Sequence, residues 1–178
     1  MNIGIDIDGV IANFVEEFIK IVKEKYHVNI SESDIIYHDL YQVLGISKLE
    51  TGKLIDETLH RNLNIITDAD KYINLLAENN EIYILTARNI DKNITEKWLK
   101  NHKIKFNDLI IFKEGDKNFC EKKLDVIIDD NLKEAIGFFE KCGKILIFDH
   151  PWNRSLNINN SFYRVKSWHE IYNLLSKK

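Results

Sequence analysis

The stretch Ile3-Gly4-Ile5-Asp6-Ile7-Asp8-Gly9 decides the reading of this chain. Its isoleucines take one parity and Gly4, Asp6 and Asp8 the other, so an extended backbone aims both carboxylates the same way. A short β-branched run that ends in acids is a buried strand reaching its carboxyl end. Gly9 then lets the backbone turn sharply at little steric cost. Taken alone, two acids spaced this way are an ordinary polar strand terminus before a turn. Their meaning depends on the groups that other strands deliver beside them.

Working outward, four further Ile- and Val-rich runs succeed it: Ile82 to Leu85, Leu109 to Phe112, Val126 to Ile128, and Ile145 to Phe148. Between them, apolar residues recur at helical steps over Asp70 to Glu78, Ile94 to His102, Leu132 to Lys141, and from Trp168 to Leu175. Alternation of strand and helix predicts an α/β fold, a Rossmann-like parallel sheet flanked by helices on both faces. One interval breaks the rhythm. Residues 12–66 far exceed the usual connection of about 2 to 6 residues, and they carry helical patterns of their own, with Phe14, Phe18, Ile19 and Val22 first and Lys48 to Leu59 later. We read residues 12–66 as a small helical cap inserted after the first strand, with 1–11 and 67–178 forming the core of a single domain.

Composition excludes several classes of function. The chain has 178 residues, 44% of them apolar and 30% charged, enough apolar side chain for one core of ordinary domain size. A net charge of -3 gives no broad footprint for a nucleic acid polymer or an anionic membrane. No apolar run approaches the ~20 residues needed to span a bilayer, and Asp6 and Asp8 stand where a secretion signal would be apolar. Cys120 and Cys142 form neither a disulfide framework nor a zinc motif. A reducing, cytoplasmic setting is the expectation, and a homodimer is left open.

The chemistry lies at the end of each strand. The second ends in Ile84-Leu85-Thr86-Ala87-Arg88, placing a hydroxyl and a guanidinium on the sheet edge that already carries Asp6 and Asp8. After the third comes Glu114-Gly115-Asp116-Lys117, and the fourth stops at Asp129-Asp130-Asn131. A Thr there often caps a helix, a Lys is commonly a solvated surface residue, and one of the two acids could cap the helix starting near Leu132. Adjacent anions otherwise repel, and become favourable around a cation. Four strand ends thus gather hard oxygen ligands, a hydroxyl and an ammonium, the set that suits Mg²⁺ and a phosphoryl group.

This ordered set resembles the four motifs of the haloacid dehalogenase (HAD) superfamily of phosphohydrolases. More narrowly, Asp6 to Phe14, reading Asp-Ile-Asp-Gly-Val-Ile-Ala-Asn-Phe, is similar to the first motif of the 5′(3′)-deoxyribonucleotidases and their bacterial 5′-nucleotidase-like relatives, and Ile84 to Arg88 is similar to their second. The resemblance implies an Mg²⁺-dependent phosphomonoester hydrolase, with a nucleoside monophosphate as substrate and an aspartyl-phosphate intermediate. Asp6 would be the nucleophile and Asp8 the general acid and base. Thr86 and Lys117 would bind phosphate. Metal would be held by Asp6, the backbone carbonyl of Asp8, and Asp129 or Asp130, the choice between the last two remaining open. Phe14 is a substrate contact by the same resemblance. The pattern departs from those enzymes at Asn131, where they carry a basic residue, and in having no tryptophan within the cap.

Lesser candidates complete the set. Arg88 is a candidate for a second phosphate oxygen or the sugar, and one of Tyr37, His38 and Tyr41 for the leaving-group pocket, with Tyr41 carried forward. The stretch from Asp149 to Arg154 comes after the fifth strand at the same rim, and its mix of aromatic and polar side chains reads either as a substrate approach or, rather more readily, as a plain loop. Trp98 and Trp168 lie on apolar helix faces and read as packing, and both cysteines as inert. The alternatives weighed are a sugar-phosphate phosphatase or mutase of the same superfamily, a phospho-accepting receiver domain, and a catalytically silent binding protein. The receiver reading conflicts with chain order, because the third strand ends in Lys113 rather than a phospho-acceptor Asp.

Overall fold

The computed structural model describes residues 1–155 and 162–176. Six strands form one sheet: β1 (Asn2–Ile5), β2 (Glu81–Thr86), β3 (Asp108–Ile111), β4 (Val126–Asp129), β5 (Lys144–Phe148) and β6 (Phe162–Val165). Their order is β3-β2-β1-β4-β5-β6, and every neighbouring pair is parallel. The chain therefore builds outward on one side of β1 and then returns to build on the other. The crevice at the carboxyl ends of β1 and β4 is the switch point where open α/β sheets bind ligands.

Alternation along the central strands splits the core in two. Ile3, Ile5, Ile84, Val126 and Ile128 join one buried cluster, while Leu85, Ile127, Ile145 and Ile147 join the other. Gly4 faces the second cluster, and a Cβ there would stand 2.8 Å from Leu124 and 2.9 Å from Leu85. Its lack of a side chain is what lets both leucines close over β1.

The helices are α1 (Phe14–Tyr26), α2 (Leu40–Leu44), α3 (Lys48–Leu59), α4 (Ala69–Leu76), α5 (Lys92–Asn101), α6 (Leu132–Ile136) and α7 (Trp168–Ser176). The first four lie between β1 and β2, α1 to α3 of them within residues 12–66. Phe14, Phe18, Ile21 and Val22 of α1 are buried, giving the apolar face that packs against α3. A box in which Ser47 and Glu50 bond each other's backbone amides starts α3. The segment leaves and rejoins the core at one neck, where Asn13 N–H donates to Asn64 (2.8 Å) and Ile66 N–H to Ile11 (2.8 Å). Trp98 and Trp168 are buried as expected, and their indole N–H groups donate to the carbonyls of Leu63 and Val10 beside that neck.

Three expectations need correction. The first strand ends at Ile5 rather than Ile7, because Val10, Ile11 and Ala12 fold their N–H groups back onto Ile7 in a tight loop. The helix expected over Leu132 to Lys141 is regular only to Ile136. Beyond it, bonds such as Phe138 to Ala135 and Phe139 to Ile136 span three residues instead of four. The edge strand β6 escapes the apolar-run criterion because Phe162, Tyr163 and Arg164 are partly or fully exposed and only Val165 is buried. Among the described residues, no helix is long and apolar enough to cross a membrane.

Candidate active site

Thr86, Lys117, Asp6 and Asp130 meet at the carboxyl edge of the sheet and line the floor of a cavity of about 420 Å³. Asp6 and Asp130 continue from β1 and β4, and Asp129 ends β4 beneath them. The Lys117 ammonium, carried in by the β3–β4 connection, donates to Asp6 Oδ1 at 2.6 Å and Asp129 Oδ2 at 3.0 Å. All five side chains are buried. Lys117 is thus no surface lysine. Burial alone would favour its neutral form, but Asp129 and Asp6 outweigh that and hold it above the ordinary lysine range.

Asp129 also accepts the Asn131 N–H at 2.8 Å through Oδ1. Asn131 itself caps α6, its side chain accepting from the Lys133 amide, so neither preceding acid serves as the helix cap. Thr86 does not cap a helix either. Its hydroxyl accepts the Arg88 N–H at 3.2 Å, and α5 is capped by Asp91.

Asp6, Asp129 and Asp130 each offer an oxygen within 4.8 Å of the others. One ammonium cannot balance three carboxylates in a buried place. Burial pushes the Asp6 carboxyl well above its ordinary range; Lys117 opposes this, while Asp129 and Asp130 add to it. Burial and then the charge of Asp129 push Asp130 up to about 7. An excess of negative charge among hard oxygen donors is the arrangement that a divalent cation relieves. The residues present therefore fit such an ion.

Asp8 stands apart from that cluster. Its carboxylate meets the Arg88 guanidinium in a two-pronged pair, Nε to Oδ2 at 2.8 Å and Nη2 to Oδ1 at 2.7 Å. Arg88 is buried and lines the cavity, with Nε and Nη2 of its guanidinium engaged by the second acid of the motif. Opposite the floor, Phe14 of α1 and Tyr41 of α2 line the same cavity, together with Tyr37, His38 and Lys48. Lys48 Nζ lies 4.8 Å from the Tyr41 ring centre.

Three further contributors stand around this floor, two of them from the stretch Asp149 to Arg154 and one, Glu134, not readable in the sequence. Trp152 donates its indole N–H to Asp130 Oδ2 at 2.7 Å and lines the cavity. Asn153 donates to the carbonyls of Asp130 and Phe148, fixing the backbone under the acid. Glu134, buried on α6, accepts the Gly115 N–H at 2.8 Å and so braces the loop that presents Lys117. The stretch Asp149 to Arg154 stands at the expected rim, and its aromatic-polar mix brings Trp152 into the cavity lining, where the indole also braces Asp130.

The family match and the nucleotidase relatives given below, on this sheet order, make the chain a phosphoric monoester hydrolase of the HAD superfamily. A haloacid dehalogenase-like hydrolase from Streptococcus pneumoniae shares the fold, with a TM-score of 0.69 at 14% identity over 98% of each chain. The family described as "5' nucleotidase, deoxy (Pyrimidine), cytosolic type C protein" matches residues 1–178, and the chain belongs to it. Similar proteins include a nucleotidase of Clostridium acetobutylicum, 27% identical over 99% of this chain and 94% of the relative. A 5'(3')-deoxyribonucleotidase of Bacillus subtilis is 28% identical over 95% of each.

Proposed function

We propose that this chain is an Mg²⁺-dependent 5′-nucleotidase of the reducing cytoplasm, releasing phosphate from nucleoside monophosphates through a phosphorylated Asp6. The observation that carries the reading is the division of labour between Asp6 and Asp8. They are two residues apart, yet Asp6 sits among Asp129, Asp130 and Lys117 while Asp8 is held aside by Arg88.

In the first half-reaction an Asp6 oxygen attacks phosphorus in line. The O–P bond to Asp6 forms as the bond to the ester oxygen breaks, and Asp8 gives its proton to the departing alkoxide. In the second, Asp8 takes a proton from water as that water attacks the phosphorus of the aspartyl phosphate, and Asp6 is regenerated. The Thr86 hydroxyl and Lys117 ammonium are placed to hold the transferring oxygens, where charge gathers. Mg²⁺ would be held by Asp6, the Asp8 backbone carbonyl and Asp130, and would supply positive charge beside those oxygens. Asp130 is the better direct ligand because it lines the cavity. Asp129 is wholly buried, with both oxygens engaged by Lys117 and the Asn131 amide.

Residues 12–66 act as the cap in this reading, with Phe14 and Tyr41 against the leaving group. The cap sequence holds no tryptophan, but Trp152 brings an indole into the same cavity from the core. Phosphate release from a panel of phosphate esters, with Mg²⁺ and with chelator, tests the proposal. Nucleoside monophosphates should lead the panel, and Asp6→Asn should lower turnover at least about 10³-fold. Neglect of every nucleotide in favour of sugar phosphates would overturn the substrate, and full activity in Asp6→Asn the mechanism.

A further inference from the structure

Arg88 lies just past β2, beside the end of β1, and lines the cavity with most of its contacts directed at other protein groups. Two of its donors point at the two oxygens of Asp8. Its guanidinium carbon lies 5.2 Å from the centre of the Trp98 ring, and its own amide is tied to Thr86. Trp98 is fixed in turn, its indole N–H donating 2.9 Å to the carbonyl of Leu63, just before the chain re-enters the core at the neck. A continuous column thus runs from Asp8 through Arg88 and Trp98 to the returning limb of the 12–66 segment.

We propose that Arg88 is a positioning residue for Asp8, and that Trp98 holds Arg88 in register with that limb. The proposal rests on Asp8 being the proton donor to the leaving group. A fork gripping both oxygens fixes the plane of a carboxylate as a single lysine ammonium cannot. It also turns the Asp8 carboxylate away from Asp6, Asp129 and Asp130, so a cation drawn to that cluster does not recruit it. The column makes the aim depend on the neck: displacement of the Leu63 limb moves Trp98, and with it Arg88.

The test uses two substrates of different leaving-group demand. A nucleoside 5′-monophosphate releases an alkoxide that needs the proton, whereas p-nitrophenyl phosphate releases a stabilised phenolate that does not. The ratio kcat/KM reads only the steps through the first phosphoryl transfer, so the later hydrolysis of the aspartyl phosphate does not enter. In Arg88→Lys, kcat/KM for the nucleotide should fall about 30-fold, carried by kcat, and that for the aryl ester by less than about threefold. This is a partial loss of the roughly 10²- to 10⁴-fold that a placed acid contributes. Trp98→Phe, which keeps the ring and loses the N–H, should show the same selective loss at about fivefold. Because removing the fork could unfold the chain, circular dichroism and thermal melts accompany both variants, and Trp98→Phe alone decides the matter if Arg88→Lys does not fold. Equal losses of kcat/KM on both substrates, or no loss, would overturn the proposal. Asp8→Asn separates this outcome from failure of the underlying reading: if it too spares neither substrate selectively, Asp8 is not the acid.

Discussion

Adding Mg²⁺ should stabilise this protein much more at pH 8 than at pH 5, and the size of the difference derives from Asp130. With no cation bound, burial and the neighbouring Asp129 raise this carboxyl from 3.8 to about 7. The native state then holds a proton that the unfolded chain has already released between those values. A raised native pKa contributes stability that is complete below the unfolded value and lost as pH climbs through the native one. From 3.8 to about 7 that loss is on the order of 4 kcal/mol, of which roughly 2 to 3 falls between pH 5 and 8. The Asp6 carboxyl moves the same way and adds to it. A dication bound by the ionised carboxylates displaces these protons and removes the penalty. At about 2 to 4 °C per kcal/mol for a domain of this size, the Mg²⁺-induced rise in Tm should be at least about 5 °C larger at pH 8. Thermal melts in chelator and in millimolar MgCl₂ at both pH values give that difference, and groups remote from the cluster cancel in the subtraction. An Mg²⁺ shift equal at the two pH values, or larger at pH 5, would show that the cluster is not where the ion binds.

Gly9→Ala should lower stability by about 1 to 3 kcal/mol, since Gly9 has φ +81° and an added Cβ would lie 2.6 Å from Asp130 Oδ2. That oxygen is anchored by Trp152 and cannot easily move aside. Urea denaturation with an unchanged midpoint would contradict the packing. Trp152→Phe removes the indole donor while keeping an aromatic ring, and loss of such a ligand-orienting bond should weaken Mg²⁺ affinity about 10- to 100-fold. Titration calorimetry that returns the wild-type dissociation constant would remove Trp152 from that role.

The fold is legible in the chain wherever burial is complete. β2, β4 and β5 are covered on both faces by the two apolar clusters, so each appears as a continuous apolar run, while β1 shows isoleucines on one face and Gly4 under the leucines on the other. Legibility ends where burial is partial. β6 is an edge strand with a half-exposed pattern, and α6 loses its helical pattern just before Gly137. The acids, Thr86 and Lys117 are readable because a parallel sheet brings every strand's carboxyl end to one rim. The roles of their supporting residues are not, since no periodicity marks Trp152, Asn153 or Glu134. Each acts through directed hydrogen bonds across a loop, and the length and course of a loop are not written in hydrophobic pattern.

Arg88 exposes the limit of reading Asp6 and Asp8 by parity. Alternation says that both acids emerge on one side of β1, and both do line the same cavity. It says nothing about the direction across the sheet, which depends on the neighbours of β1. Those neighbours are β2 on one flank and β4 on the other. Arg88, just past β2, captures Asp8, while Asp129 and Asp130 at the end of β4 share the site of Asp6. Two identical side chains two residues apart thus acquire different environments: one beside a fixed guanidinium, one within a crowd of carboxylates and an ammonium. Separate environments are what allow two aspartates to act as nucleophile and as proton carrier at the same pH. Alternation along the strands splits the core, and the order of the strands divides the chemistry.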